Sequence, residues 1–367
     1  MRYVPAYCIR EGMVVAKNIY GKSNQLMLKK DTIMNEKYIK SIKNMGYNGI
    51  YIEDDISRDI EVVNTISDNL RNTTVNAIKD MFIQDRSIEN AKNKTKAIIE
   101  NYKKVELFKG KVSEIVEEIL KSDSLMVNMV DLKYFDDYTY LHSLNVTVLS
   151  IAMGIALKLD KDKLFKLGLG AIFHDIGKMF IDKAILLKEG KLNDEELKEY
   201  KKHPELGYGY MKKEYNIPIT SYIGILEHHE RYNGTGYPDQ KKGNKISQFG
   251  SIIGIADLYD SLSSEKPNMP ALLPSEAMEL IMGASGRLFD PELVTVFTRK
   301  VAPYPVGTCV KLSNNYMGIV VENFEDACLR PKIRVFQNGD INVEPFIVNL
   351  KDDFSYMNVI ISEVAKM

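Results

Sequence analysis

Cysteine is scarce in this 367-residue chain, and so is net charge. The three cysteines, Cys8, Cys309 and Cys328, are too few and too scattered for a disulfide framework or a cysteine-rich zinc site, which favours a reducing cytoplasm. The formal net charge is -1, so we expect no binding to polymeric DNA or RNA. A small phosphorylated ligand is compatible with this charge, because a metal cluster carries its own local positive charge.

Segments that would direct the chain to a membrane are also missing. Met1–Met13 has no basic stretch followed by an apolar core, so we expect no signal peptide. No uninterrupted apolar run approaches the ~20 residues that a membrane span requires. The hydrophobic content of 45% and the charged content of 27% are ordinary for globular proteins, which predicts a soluble, cytoplasmic protein.

The length predicts two or three structural units, and the composition changes at three points along the chain. Residues 1–57 mix β-rich runs with a short amphipathic helix. Residues 58–125 contain no proline and one glycine, which is typical of long helices. Residues 126–300 alternate helical patterns with polar turns, and residues 301–367 are rich in short β-like runs. The predicted fold class is therefore mainly α, with a small α+β unit before the helical core and a small β-rich appendage after it.

Two of these units have recognisable local elements. In the first unit, apolar spacing predicts a helix over Asn35–Met45 and a strand at Gly49–Ile52. In the last unit, asparagine, aspartate and glycine turns separate four predicted strands. These strands are Thr308–Leu312, Met317–Val321, Ile333–Phe336 and Phe346–Asn349.

The helical segment 58–125 has two interpretations. It is either a linker that also forms a dimer interface, or a helical layer packed on the domain that follows. The pattern of apolar residues fits both, because either surface would need an amphipathic helix.

Histidine is scarce too, and its five copies are concentrated in residues 126–300, where two aspartates complete a set of candidate metal ligands. The candidates are His142, His174, Asp175, His203, His228, His229 and Asp257. Imidazole and carboxylate together suit divalent iron, manganese and zinc. Seven candidates exceed the about four ligands of a closed zinc site, which predicts at least two metals and hydrolytic chemistry.

The adjacent pair His174-Asp175 lies at the end of a predicted helical stretch that begins near Leu164. Both side chains reach the same volume only if the backbone turns there, and Gly177 would permit such a turn. Asp175 is the candidate bridge between two metals, because each oxygen of a carboxylate can bind one metal. Lys178 lies about one helical turn from His174, from where it could reach a phosphate bound to those metals.

The doublet His228-His229 is the more specific motif, because it runs directly into a loop that contains Gly234, Gly236 and Pro238. Two consecutive imidazoles before such a loop have little structural use without a ligand. A surface turn with incidental histidines is the alternative interpretation.

Together these motifs resemble the HD-GYP subgroup of HD-domain phosphohydrolases, over about residues 126–300. The resemblance rests on His174–Lys178, on the doublet with Gly236–Pro238, on Ile255–Leu262 and on Phe289–Val294. Members are helical-bundle metalloenzymes, typically with iron or manganese, that hydrolyse the bacterial second messenger cyclic di-GMP. The resemblance thus implies an HD-type helical bundle between the accessory units and a cyclic-dinucleotide substrate.

The resemblance also implies a role for each ligand, with Asp175 bridging two divalent metals. One site would be completed by His203, His228 and His229, and the other would contain His174 and Asp257. His142 would either complete the second site or begin a third. A hydroxide between the metals would attack the phosphodiester in line.

Substrate contacts are implied at the glycine loop and at basic residues near the ligands. These residues are Lys178, Gly236, Tyr237, Pro238, Lys266 and Arg287. Lys178 would stabilise the phosphate or hold the attacking water. Asp175 and Lys178 are therefore the residues to which we assign catalytic roles.

Two positions depart from the family pattern. Tyr138 lies four residues before His142, where some members have a glutamate that helps to hold a third metal; a phenol is a poor ligand, which favours two metals. The resemblance then implies linear pGpG as the main product, because members with two metals are often associated with incomplete hydrolysis. After Asp257, the family's Asp-Arg-Pro-Tyr-Arg-like run is replaced by Glu265-Lys266-Pro267-Asn268-Met269. Arg231 or Arg287 would then compensate, or binding is weak, or the preferred ligand differs.

Three hypotheses of function follow. The first is a cyclic di-GMP phosphodiesterase, and the second is a phosphodiesterase for another cyclic dinucleotide or phosphoester. The third is a weakly catalytic signalling module that uses its metals and loop to bind a partner protein. The intact ligand set favours an enzyme, whereas the altered run at Lys266 and Met269 favours the third hypothesis.

Overall fold

The computed structural model describes residues 1–21, 25–47, 49–88, 94–122, 126–128, 138–215, 217–264 and 271–364. Within these ranges, the backbone alone is described at 83–88, 94–101, Asn128 and Tyr138.

The N-terminal unit is a small antiparallel sheet covered by one helix. Its three-stranded sheet has the order β1-β5-β2, and β3 and β4 form a separate pair. The elements are β1 Arg2–Pro5, β2 Val14–Val15, β3 Ile19–Tyr20, β4 Leu26–Leu28, α1 Glu36–Asn44 and β5 Gly49–Glu53. The side chain of Asn35 caps α1 by accepting a hydrogen bond from the Tyr38 amide at 2.9 Å. The predicted helix and the Gly49 strand of this unit are confirmed.

The helical bundle contains the remaining α-helices. They are α2 Asp68–Ile88, α3 Lys94–Lys121, α4 Tyr138–Ala156, α5 Lys161–Ile172, α6 Lys183–Leu186, α7 Asp194–Tyr200, α8 His203–Glu214, α9 Ile219–Glu227, α10 Gln248–Ser263, α11 Pro274–Gly283 and α12 Pro291–Lys300. Helix α4 packs between α5 and α10, and α9 packs on both α5 and α10. The prediction of a mainly helical core is confirmed.

Helices α2 and α3 form a layer on this bundle, which is the second of the two interpretations of residues 58–125. Phe108 of α3 is buried and makes an edge-to-face contact with Phe173, with ring centroids 4.9 Å apart. Val112 and Ile115 of α3 are also fully buried in the same core. A dimer contact through these helices stays a prediction.

Helix α4 has a strongly apolar sequence. In the described part of the chain, Thr139–Ala156 is the helix that is long and apolar enough to cross a membrane by length and composition. However, 78% of this window is buried inside the protein. Such burial is the pattern of a core helix, since a helix packed against its neighbours has little surface left for lipid.

The C-terminal unit is a five-stranded antiparallel sheet with the order β11-β10-β9-β8-β12. Its strands are β8 Cys309–Leu312, β9 Tyr316–Glu322, β10 Lys332–Asn338, β11 Ile341–Asn349 and β12 Ile361–Val364, and the short strands β6 Val127–Asn128 and β7 Val301–Ala302 pair beside the bundle. The four predicted strands are confirmed. The sequence analysis missed β12, whose four residues alternate too briefly to be distinguished from a loop.

The two accessory units pack against each other although they lie at opposite ends of the sequence. Arg334 makes a two-pronged ion pair with Asp59, with N–O distances of 2.5 and 2.7 Å. The amide of Tyr3 donates to the carbonyl of Gly307 at 2.9 Å. Ile60 packs in one apolar cluster with residues of the C-terminal sheet. The accessory units therefore form one continuous body beside the bundle.

Candidate metal centre

The seven predicted ligands come together at one end of the bundle. His142 lies in the first turns of α4, and Asp257 lies on α10. The other ligands lie at helix ends. His174 and Asp175 follow α5, His203 begins α8, and His228 and His229 follow α9. All except His229 are at most 6% exposed, and the His229 side chain is 13% exposed.

A close backbone approach at Gly177 places Asp175 beside His203. Gly177 lies in a short 3₁₀ helix, Ile176–Phe180, which packs on the start of α8. A β-carbon at Gly177 would lie 1.9 Å from the His203 carbonyl oxygen and 2.6 Å from the Gly207 amide nitrogen. A side chain therefore has no room here, which explains why the motif needs glycine.

Backbone carbonyls orient three of the imidazoles. The Nδ1 atoms of His174, His203 and His228 lie 2.8, 2.7 and 2.7 Å from a carbonyl oxygen three residues earlier in the chain. A carbonyl only accepts hydrogen bonds, so each Nδ1 carries the proton and each Nε2 presents a lone pair. These Nε2 atoms point into a shared volume, since that of His203 lies 3.4 Å from that of His228.

Asp175 lies between two groups of ligands, and each of its oxygens faces a different group. Oδ1 lies 3.4 Å from His203 Nε2. Oδ2 lies 3.5 Å from His174 Nε2 and 3.6 Å from His142 Nε2. The arrangement suits a carboxylate that binds one metal through each oxygen.

The ligand atoms form two clusters, in each of which all atoms lie within 4.8 Å of one another. The first contains Asp175, His203, His228 and His229, and the second contains His142, His174 and Asp257. The sets implied by the resemblance have the same membership, with His142 on the side of His174. The individual roles stay predictions.

Burial keeps most of the imidazoles in the form that binds metal. Loss of hydration lowers the pKa of His203 to about 4, and it lowers the pKa values of His174, His228 and His229 as well. Neutral imidazole is the ligand form, so these side chains need lose no proton at neutral pH to bind a metal.

The pKa values of His142 and Asp175 are shifted by neighbouring side chains instead. Burial opposes a charge on His142, but hydrogen bonds to Asp257 and Asp260 outweigh it and raise its pKa to about 9. Burial likewise opposes a charge on Asp175, but the Lys178 ammonium, 2.5 Å from Oδ2, holds the pKa of this carboxyl well below its usual value. Asp175 is therefore ionised and able to bind metal.

The residues fit divalent metal ions. Oδ1 of Asp175 is buried and has no hydrogen-bond partner among the described residues. The Nε2 atoms of His203 and His229 face each other at 3.1 Å, and those of His142 and His174 at 3.3 Å. A buried carboxylate oxygen without a partner costs free energy, and a cation bound among these nitrogens and Asp175 would remove that cost. The centre can thus hold metal, and its nitrogen and oxygen ligands suit iron, manganese or zinc.

Asp260 and Asn145 support His142, and the sequence analysis missed both. Asp260 Oδ2 lies 2.7 Å from His142 Nδ1, and Asp260 Oδ1 accepts from the Asn145 amide at 2.9 Å. The spacing of three residues between His142 and Asn145, and between Asp257 and Asp260, is a signal that could have revealed them. In each pair, both side chains lie on one face of their helix.

We expect Asp260→Ala to weaken metal binding at the cluster of His142, His174 and Asp257 by about 10–100-fold, because His142 loses the carboxylate that fixes its ring. Metal titration with manganese, read as bound metal per chain, measures the effect. Asn145→Ala removes only the more distant hydrogen bond, so it should cause a smaller loss. Unchanged metal affinity in Asp260→Ala would show that packing alone orients His142.

The loop after the histidine doublet is held close to the centre. The ring of Tyr237 stacks on that of His229, with centroids 4.7 Å apart. A β-carbon at Gly236 would lie 2.4 Å from the Arg231 amide nitrogen, so the loop requires glycine here. The carboxylate of Glu230 accepts from the amides of Asp239 and Lys241, at 2.7 and 3.0 Å. The predicted loop residues Gly236, Tyr237 and Pro238 thus border the metal ligands.

The remaining predicted contacts differ in how near they lie to the centre. Arg287 is exposed, and its backbone carbonyl accepts from the Asn233 amide at 2.9 Å, which places it beside the loop. Arg231 donates to the carbonyls of His228 and Glu230, at 3.0 and 2.9 Å. Lys266 and Met269 lie outside the described residues, as does the side chain of Tyr138.

The part of the chain that contains this centre is similar in sequence to known proteins. A family model described as HD domain matches residues 114–293. The cyclic di-GMP phosphodiesterase PA4108 of Pseudomonas aeruginosa is 34% identical over 225 residues, which are 61% of this chain and 54% of that protein. Residues 114–293 therefore belong to the HD-GYP family of HD domains.

Two other relatives of the HD-GYP domain carry different names. The cyclic di-GMP phosphodiesterase response regulator RpfG of Xanthomonas campestris is 37% identical over 145 residues, covering 39% of this chain and 38% of that protein. The 3'3'-cGAMP-specific phosphodiesterase 1 of Vibrio cholerae is 32% identical over 192 residues, covering 52% and 43%. The chain spans about half the length, or less, of these relatives.

Proposed function

We propose that this chain is a metal-dependent phosphodiesterase that hydrolyses cyclic di-GMP to linear pGpG and only slowly to GMP. The position of Asp175, with one oxygen facing each ligand cluster, is the observation that carries the proposal. Two divalent ions, which we propose to be iron or manganese, would activate water and stabilise charge on the attacking and leaving oxygens. The names of the relatives PA4108 and RpfG support the substrate.

In this proposal, Asp175 and Lys178 are the catalytic residues. The pKa of Lys178 is raised well above its usual value, since the nearby Asp175 carboxylate outweighs the effect of burial. Lys178 is therefore a fixed cation beside the bridging carboxylate. There it can stabilise the charge of a phosphate oxygen or orient the attacking water.

The loop Gly236–Pro238 and the basic residues Lys266 and Arg287 are the proposed substrate contacts. Tyr237 forms one wall of the centre, because its ring covers His229. The aromatic wall excludes water from one side of the ligands, and such exclusion strengthens the electrostatic interactions within the centre.

We also propose a cytoplasmic location, which the three free, buried cysteines support because none of them forms a disulfide. The α2–α3 layer would form a homodimer contact, and the accessory body would receive signals from partner proteins.

Anaerobically purified protein loaded with iron or manganese should consume cyclic di-GMP faster than other cyclic dinucleotides, and pGpG should accumulate. Chromatography of the products over time makes the measurement, with chelator-treated protein as the control. Rapid, stoichiometric GMP release without a linear intermediate would contradict the proposed product. Absence of turnover for every cyclic dinucleotide, at full metal occupancy, would favour a signalling module that binds a partner.

The second candidate function is hydrolysis of a mixed cyclic dinucleotide. The 32% identity to the 3'3'-cGAMP-specific enzyme of Vibrio cholerae favours it. So does the altered run at Lys266 and Met269, because neither residue offers the planar fork of an arginine to a phosphate. Faster turnover of 3'3'-cGAMP than of cyclic di-GMP in the same assay would support this function.

A further inference from the structure

Lys201 lies near the metal centre but is not one of the predicted ligands. It is exposed and precedes His203 by two residues. Its Nζ lies over the ring of Tyr237, 5.4 Å from the centroid. The same ring stacks on His229 at 4.7 Å. A single aromatic ring therefore connects the Lys201 ammonium with a metal ligand.

Among the described residues, no carboxylate neutralises the charge of Lys201. In the part of the chain that the structure describes, no carboxylate oxygen lies within 4.0 Å of its Nζ, whereas the neighbouring Lys202 pairs with Glu199 at 2.5 Å. The aromatic ring helps to hold the ammonium in place, because a cation is attracted to the face of a tyrosine. The result is an accessible positive charge beside the centre.

Three other cations near the centre are already engaged, whereas Arg287 is exposed beside the loop. Lys178 is paired with Asp175, and the Arg231 guanidinium donates to two backbone carbonyls and lies over Phe289. Lys241 is paired with Glu227. An anion that approaches the centre from solvent would therefore meet a Lys201 ammonium that has no carboxylate partner among the described residues.

A cyclic dinucleotide has two phosphates, of which one reacts at the metals and the other lies across the ring. We propose that Lys201 binds this second, non-reacting phosphate. The inference rests on the proposed function, and Lys201 would supply a positive charge that the side chain of Met269 lacks. A charge-assisted contact to phosphate is consistent with the reach and mobility of an exposed lysine.

The test compares Lys201→Ala with Lys202→Ala on two substrates. Cyclic di-GMP has the second phosphate, whereas bis(p-nitrophenyl) phosphate has one phosphodiester and no second phosphate. We expect Lys201→Ala to raise KM for cyclic di-GMP by about tenfold with kcat little changed. The same variant should hydrolyse bis(p-nitrophenyl) phosphate normally. Lys202→Ala should resemble the wild type on both substrates, and Lys201→Arg should keep most of the affinity.

The outcomes separate this inference from the proposed function. An unchanged KM in Lys201→Ala, or an equal loss of kcat/KM on both substrates, would overturn the role of Lys201. Neither result would contradict the proposed phosphodiesterase function. If the wild type hydrolyses bis(p-nitrophenyl) phosphate but not cyclic di-GMP, the proposed function and this inference are both refuted. A KM increase confined to cyclic di-GMP and to Lys201→Ala supports the inference.

Discussion

Asp175→Ala should lose both metals and at least about a thousandfold in kcat/KM. Removal of the carboxylate takes away an oxygen on the side of each cluster, because Oδ1 faces His203 and Oδ2 faces His174. Loss of the metals removes several kcal/mol of transition-state stabilisation, and each 1.36 kcal/mol is about tenfold in rate. Metal analysis of the purified variant, together with the rate on cyclic di-GMP, measures both effects.

A folding control accompanies this variant, since Asp175 also neutralises the Lys178 ammonium. Asp175→Asn keeps the shape of the side chain, and circular dichroism establishes that the helices have formed. Asp162→Ala removes an exposed carboxylate from α5, where it pairs with Lys166, and should leave metal content unchanged. Two bound metals and full activity in Asp175→Ala would overturn the bridging role.

Gly177→Ala should destabilise the HD-GYP domain and weaken metal binding. The new β-carbon would lie 1.9 Å from the His203 carbonyl oxygen, so the 3₁₀ helix and α8 would have to separate. Overpacking of this kind costs about 1–3 kcal/mol, and here both sides of the contact are backbone. Separation of the two segments also moves Asp175 away from His203. Thermal unfolding and metal titration test the two consequences.

The matched control is Gly209→Ala, in helix α8, on which the Gly177 segment packs. A β-carbon at Gly209 would meet no atom within 4 Å, and alanine favours helix by up to about 1 kcal/mol over glycine. The Tm of this variant should therefore be unchanged or raised. Equal Tm values for the Gly177 variant and the wild type would mean that the backbone accommodates the extra carbon without cost.

The identity of the ligands was accessible from the sequence because their chemistry is local. His228-His229 before a glycine loop and His174-Asp175 before Gly177 are recognisable without knowledge of the fold. The mainly helical core was accessible for the same reason, since the apolar spacing of one helix is set by neighbours along the chain.

The support of the centre could not be predicted in the same way. Asp260 and Asn145 act on His142 across two helices, and 115 residues separate Asn145 from Asp260. The packing of the N-terminal unit on the C-terminal sheet was also not predicted, because Asp59 and Arg334 are 275 residues apart. The spacing of Asn145 and Asp260 places each on the same helix face as a ligand, but it does not show which residues of another helix they contact.

By itself, the sequence determined which residues can bind metal, that the chain has a helical core between accessory units, and which family its motifs resemble. Only the tertiary structure decided on which side His142 lies, which oxygen of Asp175 faces each cluster, and that Lys201 lies over Tyr237. The physical reason is distance along the chain. Ligand chemistry belongs to single residues, whereas the geometry depends on helix packing, which brings together residues far apart in the sequence.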